Sequence, residues 1–321
     1  MFGADCYEVL WETGMIATVT LNPAVDKTLR GSGIILGNVN RMEEVNNIAG
    51  GKGINVSKVL SSYGYRVKAL GFAGGYSGDL IMNAVVGMGI ENCFTQIAGE
   101  TRTSINVIGE DGYVTEILEP GPEVMESEKQ SFLDNYKKEI IDCDMVIISG
   151  SAPKGVEASF YSDMINIANK EGIKVLLDAS GDNLKKGMYA RPFFLKPNIK
   201  ELESLVGKKL RTIEDVTQEA EQLVEWGIKN VMVSMGSKGI VYAYMDGDEI
   251  KSIFMEAPKM KVVNTVGSGD CVVAAFAMAQ CEKLTREDTL KRCIAISAAN
   301  VTTPENGVVD KDLAKEIENK L

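Results

Sequence analysis

Short apolar runs bounded by turn residues alternate along this chain with longer stretches whose apolar positions recur every three to four residues. The runs predict buried strands and the longer stretches amphipathic helices. Residues 16–21 read as a first strand, 53–63 as a helix, and 67–72 as a second strand leading into a glycine-rich turn at Gly74, Gly75 and Gly78. Further strands are predicted at 145–148, 175–177, 193–195 and 231–234, with helices at 157–171 and 213–226. In the last of these, Val216, Ala220, Leu223 and Val224 share one face. The strand–loop–helix rhythm predicts an α/β fold, a parallel sheet covered by crossover helices. Two regions break it. Residues 25–48 and 101–118 read as short extended segments of mixed polarity, with Asp111-Gly112 a hairpin signal between 103–108 and 113–118. No helical pattern covers either region, so both are expected to form a small β-sheet lid on the main sheet. No repeat or low-complexity linker sets them apart as a domain.

With 321 residues the chain is long enough for two domains, or for one large α/β domain with an appendage. Residues 1–14 contain Asp5, Glu8 and Glu12 and no basic start, unlike a secretion signal; they read as an N-terminal extension before a domain spanning 15–321. No apolar run approaches the roughly 18 to 20 residues that span a bilayer, so no membrane association is expected. The net charge of −11 repels polyanions and argues against nucleic-acid binding, so any bound phosphate needs a local basic or backbone-amide site. The chain contains no histidine, which removes Ser-His-Asp and Cys-His catalysis, histidine-ligated zinc and a histidine general base together. Six cysteines, at 6, 93, 143, 271, 281 and 293, form no C-x-x-C pair and read as reduced structural thiols of a cytoplasmic protein.

Asn264-Thr265-Val266-Gly267-Ser268-Gly269-Asp270 precedes an almost uniformly apolar stretch, 271–280, and so places Asp270 at the start of a buried helix. Small residues there leave backbone N–H groups free for an anion, and the helix dipole adds positive potential. A carboxylate at that point can take a proton from a hydroxyl attacking a phosphate, or serve simply as an N-cap. A second cluster, Gly50-Gly51-Lys52-Gly53-Ile54-Asn55, opens another helix. Lys52 there can neutralise a phosphate and Asn55 can bond a sugar hydroxyl, or the segment is a flexible connection with a solvated lysine. It is not a Walker A loop, because position 46 is Asn, and no complete G-x-G-x-x-G dinucleotide motif exists anywhere in the chain. In Lys196-Pro197-Asn198-Ile199-Lys200-Glu201, Asn198 and Glu201 suit a hydrated Mg²⁺ near phosphates, and equally suit a helix capping box. Asp26 either binds sugar hydroxyls or terminates the first strand, while Lys27 and Arg102 are basic residues near the lid, with a solvated face as their default reading.

Taken in order, Asn22-Pro23-Ala24-Val25-Asp26, Gly50-Gly51-Lys52-Gly53-x-Asn55, Lys196-Pro197-Asn198-x-x-Glu201 and Gly267-Ser268-Gly269-Asp270 resemble the ribokinase-like sugar kinases. More narrowly they resemble the phosphofructokinase B branch, kinases of fructose 1-phosphate and tagatose 6-phosphate. The resemblance runs from Met15 nearly to the C-terminus. It implies a three-layer α/β/α ribokinase-like fold with a β lid, and transfer of the ATP γ-phosphoryl group to a sugar phosphate. Asp270 would then be the base and the amides of Gly267, Ser268 and Gly269 the anion hole. Asp26, Gly50, Gly51, Lys52 and Asn55 would contact the sugar phosphate, with Arg102 reaching from the lid. Lys196, Asn198 and Glu201 would lie near the nucleotide phosphates, the last two holding Mg²⁺ through water. Ser234, Gly236 and Gly239 would border the nucleotide, with Asn300 beside the adenine. Asn264, where many relatives have Asp, and Ala152, where Leu is commoner, depart from the pattern.

The lid segment 115–122 is similar to the tagatose-phosphate branch. The Lys that usually ends Arg-Ile-Asn-Val-Lys in fructose 1-phosphate kinases is missing after Arg102. Tagatose 6-phosphate is therefore the narrowly favoured acceptor, with fructose 1-phosphate the alternative. A nucleoside or ribose kinase and a catalytically silent sugar-phosphate sensor are the other readings. Lys52 and Arg102 speak against the first and Asp270 against the second. The uncovered apolar faces of the lid predict a homodimer through it.

Overall fold

The computed structural model describes residues 14–110 and 113–321, so the readings of residues 1–13 and of the Asp111-Gly112 turn lie outside the described residues. The chain runs β1 (Met15–Thr20), β2 (Ala24–Arg30), β3 (Glu44–Gly50), α1 (Lys52–Ser62), β4 (Val67–Ala73) and α2 (Gly75–Gly87). It continues with β5 (Glu91–Asn92), β6 (Thr95–Gln96), β7 (Arg102–Ile108), β8 (Val114–Leu118), α3 (Glu126–Ile140), β9 (Cys143–Ser149) and α4 (Ser159–Lys170). Then come β10 (Lys174–Asp178), α5 (Gly181–Tyr189), β11 (Phe194–Leu195), α6 (Ile199–Val206), α7 (Ile213–Glu225) and β12 (Asn230–Ser234). A hairpin of β13 (Ile240–Asp246) and β14 (Glu249–Met255) precedes α8 (Ser268–Cys281), α9 (Arg286–Asn300) and α10 (Lys311–Glu318).

The main sheet has the order β14-β13-β12-β11-β10-β9-β1-β4-β5, with β6 also on β4. It is parallel from β12 to β5, and β13 and β14 are added antiparallel at one edge. All six residues of β1 are buried, as a central strand covered on both faces requires. Alternation sorts its side chains: Ala17 and Val19 join a core with Phe72, Phe132 and Phe160, while Ile16 joins one with Ile54, Leu60 and Phe276. Helices α3 to α7 cover the first face and α1, α2, α8, α9 and α10 the second, giving the expected three layers.

The lid is a four-stranded sheet of order β3-β2-β7-β8. It is antiparallel except for β2 against β7. Only residues 21–23 separate β2 from β1, which fixes the lid over the C-terminal ends of the parallel strands. One expectation fails here. Gly75 and Gly78 do not form a turn but begin α2, and a Cβ at Gly74 would stand 2.3 Å from the carbonyl oxygens of Ile97 and Gly99. These glycines serve close packing against the chain entering the lid, which a glycine count cannot distinguish from a turn.

Candidate active site

A cavity of about 1260 Å³ opens where the lid faces the C-terminal strand ends and the N-termini of α1 and α8. Open parallel sheets generally bind ligands at that end of their strands. Its lining includes five basic side chains (Lys52, Arg102, Lys196, Lys200, Lys259) and three acidic ones (Asp26, Glu116, Asp270), so the cavity is locally basic in a chain of net charge −11.

Asp270 stands in the first turn of α8. The N-cap is Gly267, in the left-handed region at φ 86°, so the carboxylate is not the cap. It accepts instead from Asn55 Nδ2 at 2.9 Å. Asp270 and the nine residues that follow are all buried. Burial pushes its pKa up to about 6; Asp178 adds to the rise, while Lys52, the Asn55 hydrogen bond and Lys196 oppose it. Among the described residues the N–H groups of Gly269 and Asp270 have no backbone acceptor outside the helix ladder, as the first turn of a helix leaves them. Ser268 donates both its hydroxyl, at 2.9 Å, and its N–H, at 3.4 Å, to Thr265 O, so its amide is not one of the open ones.

Behind the carboxylate lies a group that sequence reasoning missed. Asp178, fully buried at the end of β10, is bracketed by Lys52 Nζ and Lys196 Nζ, each 3.3 Å from its Oδ1. Burial disfavours its charge, but the two lysines outweigh burial and hold the carboxyl below its ordinary range. In return Asp178 raises the Lys52 pKa, aided by Asp270 and Glu201 and opposed by burial. Lys52 opens α1 after Gly51, whose φ of 118° and 2.7 Å approach of a would-be Cβ to Thr20 Cγ2 admit only glycine. The lysine is thereby held at the helix N-terminus by its ion pair with Asp178, with its side chain still 41% exposed.

At the lid end, Asp26 projects from β2 and its carboxyl is raised by burial against the pull of Lys58 and Arg102. Arg102 donates Nη2 to Asn22 O at 3.2 Å, and its Nε is buried without a partner. Asn22 Oδ1 and Asn55 Oδ1 are likewise buried and unpaired. Such orphaned polar atoms facing one cavity mark where a polar ligand completes the hydrogen bonding. Gly51 lines the cavity, whereas Gly50 does not: a Cβ there would meet Asp26 Oδ2 at 2.2 Å, so its role is to admit the carboxylate. Lys27 does not line the cavity. Glu116 of β8, Lys58 of α1 and Asn306 were all missed. Burial lowers the Lys58 pKa against the charges of Asp26, Glu305 and Asp270.

At the other end, Lys196, Asn198, Ser234, Gly236 and Gly239 line the cavity. Asn198 and Glu201 form the capping box of α6: Asn198 Oδ1 accepts from Glu201 N at 3.0 Å and Glu201 Oε2 from Asn198 N at 2.8 Å. Glu201 is not among the lining residues, though its charge acts on Lys52. The capping bonds occupy Asn198 Oδ1 and Glu201 Oε2, so neither of those oxygens is free for a metal. Asn300 is buried, donates to Val308 O at 2.8 Å and is off the cavity, whose wall there is Ile294, Ser297, Ala298 and Val301. Asn264 bonds Val266 N, Pro304 O and Asn306, a structural post for the 264–267 turn. The five cysteines in the described residues are free thiols, and no helix there is long and apolar enough to cross a membrane.

A profile described as pfkB family carbohydrate kinase matches residues 16–310. The tagatose-6-phosphate kinase of Staphylococcus epidermidis is 36% identical over 306 residues, covering 94% of this chain and 97% of its own. The 1-phosphofructokinase of Vibrio cholerae is 32% identical over 309 residues, covering 96% of each. The crystal structure of phosphofructokinase-2 from Escherichia coli in complex with potassium superposes with a TM-score of 0.88 at 26% identity, over 96% of this chain and 99% of that one. The layers and lid are those of the ribokinase-like fold.

Proposed function

The chain belongs to the pfkB family of carbohydrate kinases, and from that premise we propose that it transfers the γ-phosphoryl group of ATP to a free hydroxyl of a ketohexose phosphate, tagatose 6-phosphate being preferred. The observation that carries the reading is the placement of Asp270, a carboxylate with pKa about 6 beside the open N–H groups of α8, in one cavity with the lid's Asp26 and Arg102. Asp270 accepts the proton of the attacking hydroxyl. The oxygen then bonds the γ-phosphorus as the bond to ADP breaks, and the amides of the α8 N-terminus with Lys52 and Lys196 take up the charge on the transferring group. Asp26 and Asn55 orient the acceptor, and Arg102 with Lys52 favours one that already carries a phosphate. Mg²⁺ carried on the ATP phosphates would neutralise their charge, and Glu201, whose Oε1 is not used by the capping box, would be the residue to receive a bound water.

The preference for tagatose 6-phosphate is supported by the lid segment 115–122 and by the greater identity to the tagatose-6-phosphate kinase. Fructose 1-phosphate remains the second reading because the Vibrio cholerae enzyme covers the chain as fully. The functional unit in this reading is a homodimer through the lid. On the face turned from the cavity, Leu29 pairs with Val45 and Ile105 with Ile117, and Val45 and Ile117 are 59% and 49% exposed. Coupled measurement of ADP release with tagatose 6-phosphate, fructose 1-phosphate, fructose 6-phosphate and the unphosphorylated sugars tests the proposal. A tenfold preference for fructose 1-phosphate overturns the acceptor assignment, and equal activity on sugars without phosphate overturns the acceptor class.

A further inference from the structure

The chain leaves β9 through Gly150 and Ser151, and the peptide that joins these two residues is held from the core side. Gly150 O accepts from the hydroxyl of Tyr161 in α4 at 2.9 Å. Tyr161 is fully buried, in the core of the first face with Phe132 and Phe160. Gly150 N donates to Asp178 O at 2.9 Å. Between these two bonds residue 150 has a φ of 99°, which only glycine adopts without strain. Asp178 thereby sets two groups at once: its main-chain oxygen fixes Gly150, while its Oδ1 holds Lys52 Nζ and Lys196 Nζ, each at 3.3 Å. A Cβ at Gly150 would stand 3.7 Å from Lys52 Cβ, so the peptide and the lysine are neighbours.

A trans peptide is planar, with its C=O and N–H opposed. Because the Gly150 carbonyl turns into the core, the Ser151 N–H turns out of it, and both residues line the cavity. That N–H has no hydrogen-bond acceptor among the described residues. We propose that Tyr161 is a positioning residue: through Gly150 O it aims the Ser151 N–H into the cavity, where the amide and Lys52 together bind a phosphoryl oxygen. The role deepens the kinase reading and rests on it. Without the tyrosine hydroxyl the peptide is free to turn over, since residue 150 is glycine, and it then presents a carbonyl oxygen to the phosphate instead of a donor. Strand order favours the acceptor's own phosphate as the source of that oxygen. β9 adjoins β1, which runs into the lid, whereas Ser234 and Gly236 lie at the end of β12, three strands away.

Tyr161→Phe removes the hydroxyl and keeps the ring that packs the core. The full chain, carrying isotope-labelled serine, is titrated separately with tagatose 6-phosphate, inorganic phosphate and a non-hydrolysable ATP analogue. The Ser151 amide resonance, assigned by its loss in Ser151→Ala, is followed by NMR. At least one of these ligands should move that resonance in wild type and should bind about tenfold to a hundredfold more weakly to Tyr161→Phe, the loss of a hydrogen bond to a charged group. Movement by tagatose 6-phosphate identifies the acceptor's phosphate, and Tyr161→Phe then raises the acceptor KM with little change in kcat. Movement by the ATP analogue alone identifies the transferred group, and kcat falls instead. A resonance that none of the three ligands moves in wild type overturns the proposal, whatever the fold of the variant. So does a lowered kcat in Tyr161→Phe with both KM values and the Ser151 titrations unchanged, which is the mark of a tyrosine that only packs. If no sugar phosphate is bound or turned over, the acceptor assignment fails, and the titrations with inorganic phosphate and the ATP analogue still decide the role of the amide.

Discussion

Replacing Asp270 by Asn should make this protein more stable while nearly abolishing its activity. Its carboxyl titrates near 6 in the folded chain against an ordinary 3.8, chiefly because it is buried. A tenfold difference in proton affinity between the folded and unfolded chain is worth about 1.36 kcal/mol, so above pH 6 the ionised carboxylate costs the folded state about 3 kcal/mol. The sign follows from proton binding. Between about pH 4 and 6 the folded state holds a proton that the unfolded state has released, so stability falls as pH rises through that window and is flat above it. Asn removes the charge, keeps an acceptor for Asn55 Nδ2 and should recover most of the penalty at pH 7. With an unfolding entropy of about 2.1 cal/mol/K per residue, that gain corresponds to a rise in Tm of roughly 3 to 5 °C. The rise should vanish below pH 4, where both proteins are neutral at this position. Meanwhile kcat should fall by about 10² to 10⁴ with ATP affinity nearly unchanged. Differential scanning calorimetry from pH 4 to 8, paired with ADP-release kinetics, reads both quantities. A Tm change independent of pH refutes the burial argument, and near-normal kcat refutes Asp270 as the base.

The wild-type kcat should fall below pH 6 as Asp270 protonates, and Lys52→Met should move that acid limb to higher pH because Lys52 holds the carboxyl down. The same variant should weaken acceptor binding by roughly 1.5 to 3 kcal/mol, more than ATP binding, as separate KM values will show. Asp178→Asn leaves Lys52 and Lys196 without their shared counter-charge and should cost about 3 to 5 kcal/mol in urea titration at pH 7. That loss should shrink as pH drops through the depressed pKa of Asp178, since protonation removes the same charge in wild type. Ile117→Lys, on the face of the lid turned from the cavity, should give a monomer by light scattering where the unmodified chain gives a dimer; a monomeric unmodified chain ends the dimer proposal.

The parallel strands were legible because each is an apolar run buried on two faces, and the two glycine-led helix starts were legible because small residues before a helix have few other uses. Asp178 was not. It ends an ordinary strand, and its importance arises only when the pairing of β10 with β11 brings Lys196 beside it and the start of α1 brings Lys52, 126 residues away. A carboxylate at the C-terminal end of a parallel strand is the one local sign that could have flagged it. Asn306 lies in a turn with no pattern of its own, and its hydrogen-bond partner Asn264 is 42 residues away. Asn198 and Glu201 admitted two readings from sequence because a capping box and a pair of metal-facing side chains share one spacing. The hydrogen bonds of α6 show the box. Asn300 is buried off the cavity and donates to Val308 O, a long-range packing outcome that a polar residue at a helix end does not disclose in sequence.

The bond between Asn55 and Asp270 spans 215 residues. During synthesis at about 5 to 20 residues per second, α1 waits roughly 10 to 40 s before the helix that carries Asp270 is even made. Only in the later part of that interval, once residue 178 has been made, can Lys52 meet Asp178, and even then α1 lacks the buried partner that α8 provides. A chain interrupted before residue 270 would carry every strand of the main sheet and of the lid, yet not the carboxylate that the proposed mechanism uses as proton acceptor, so on that reading catalytic competence comes last in translation.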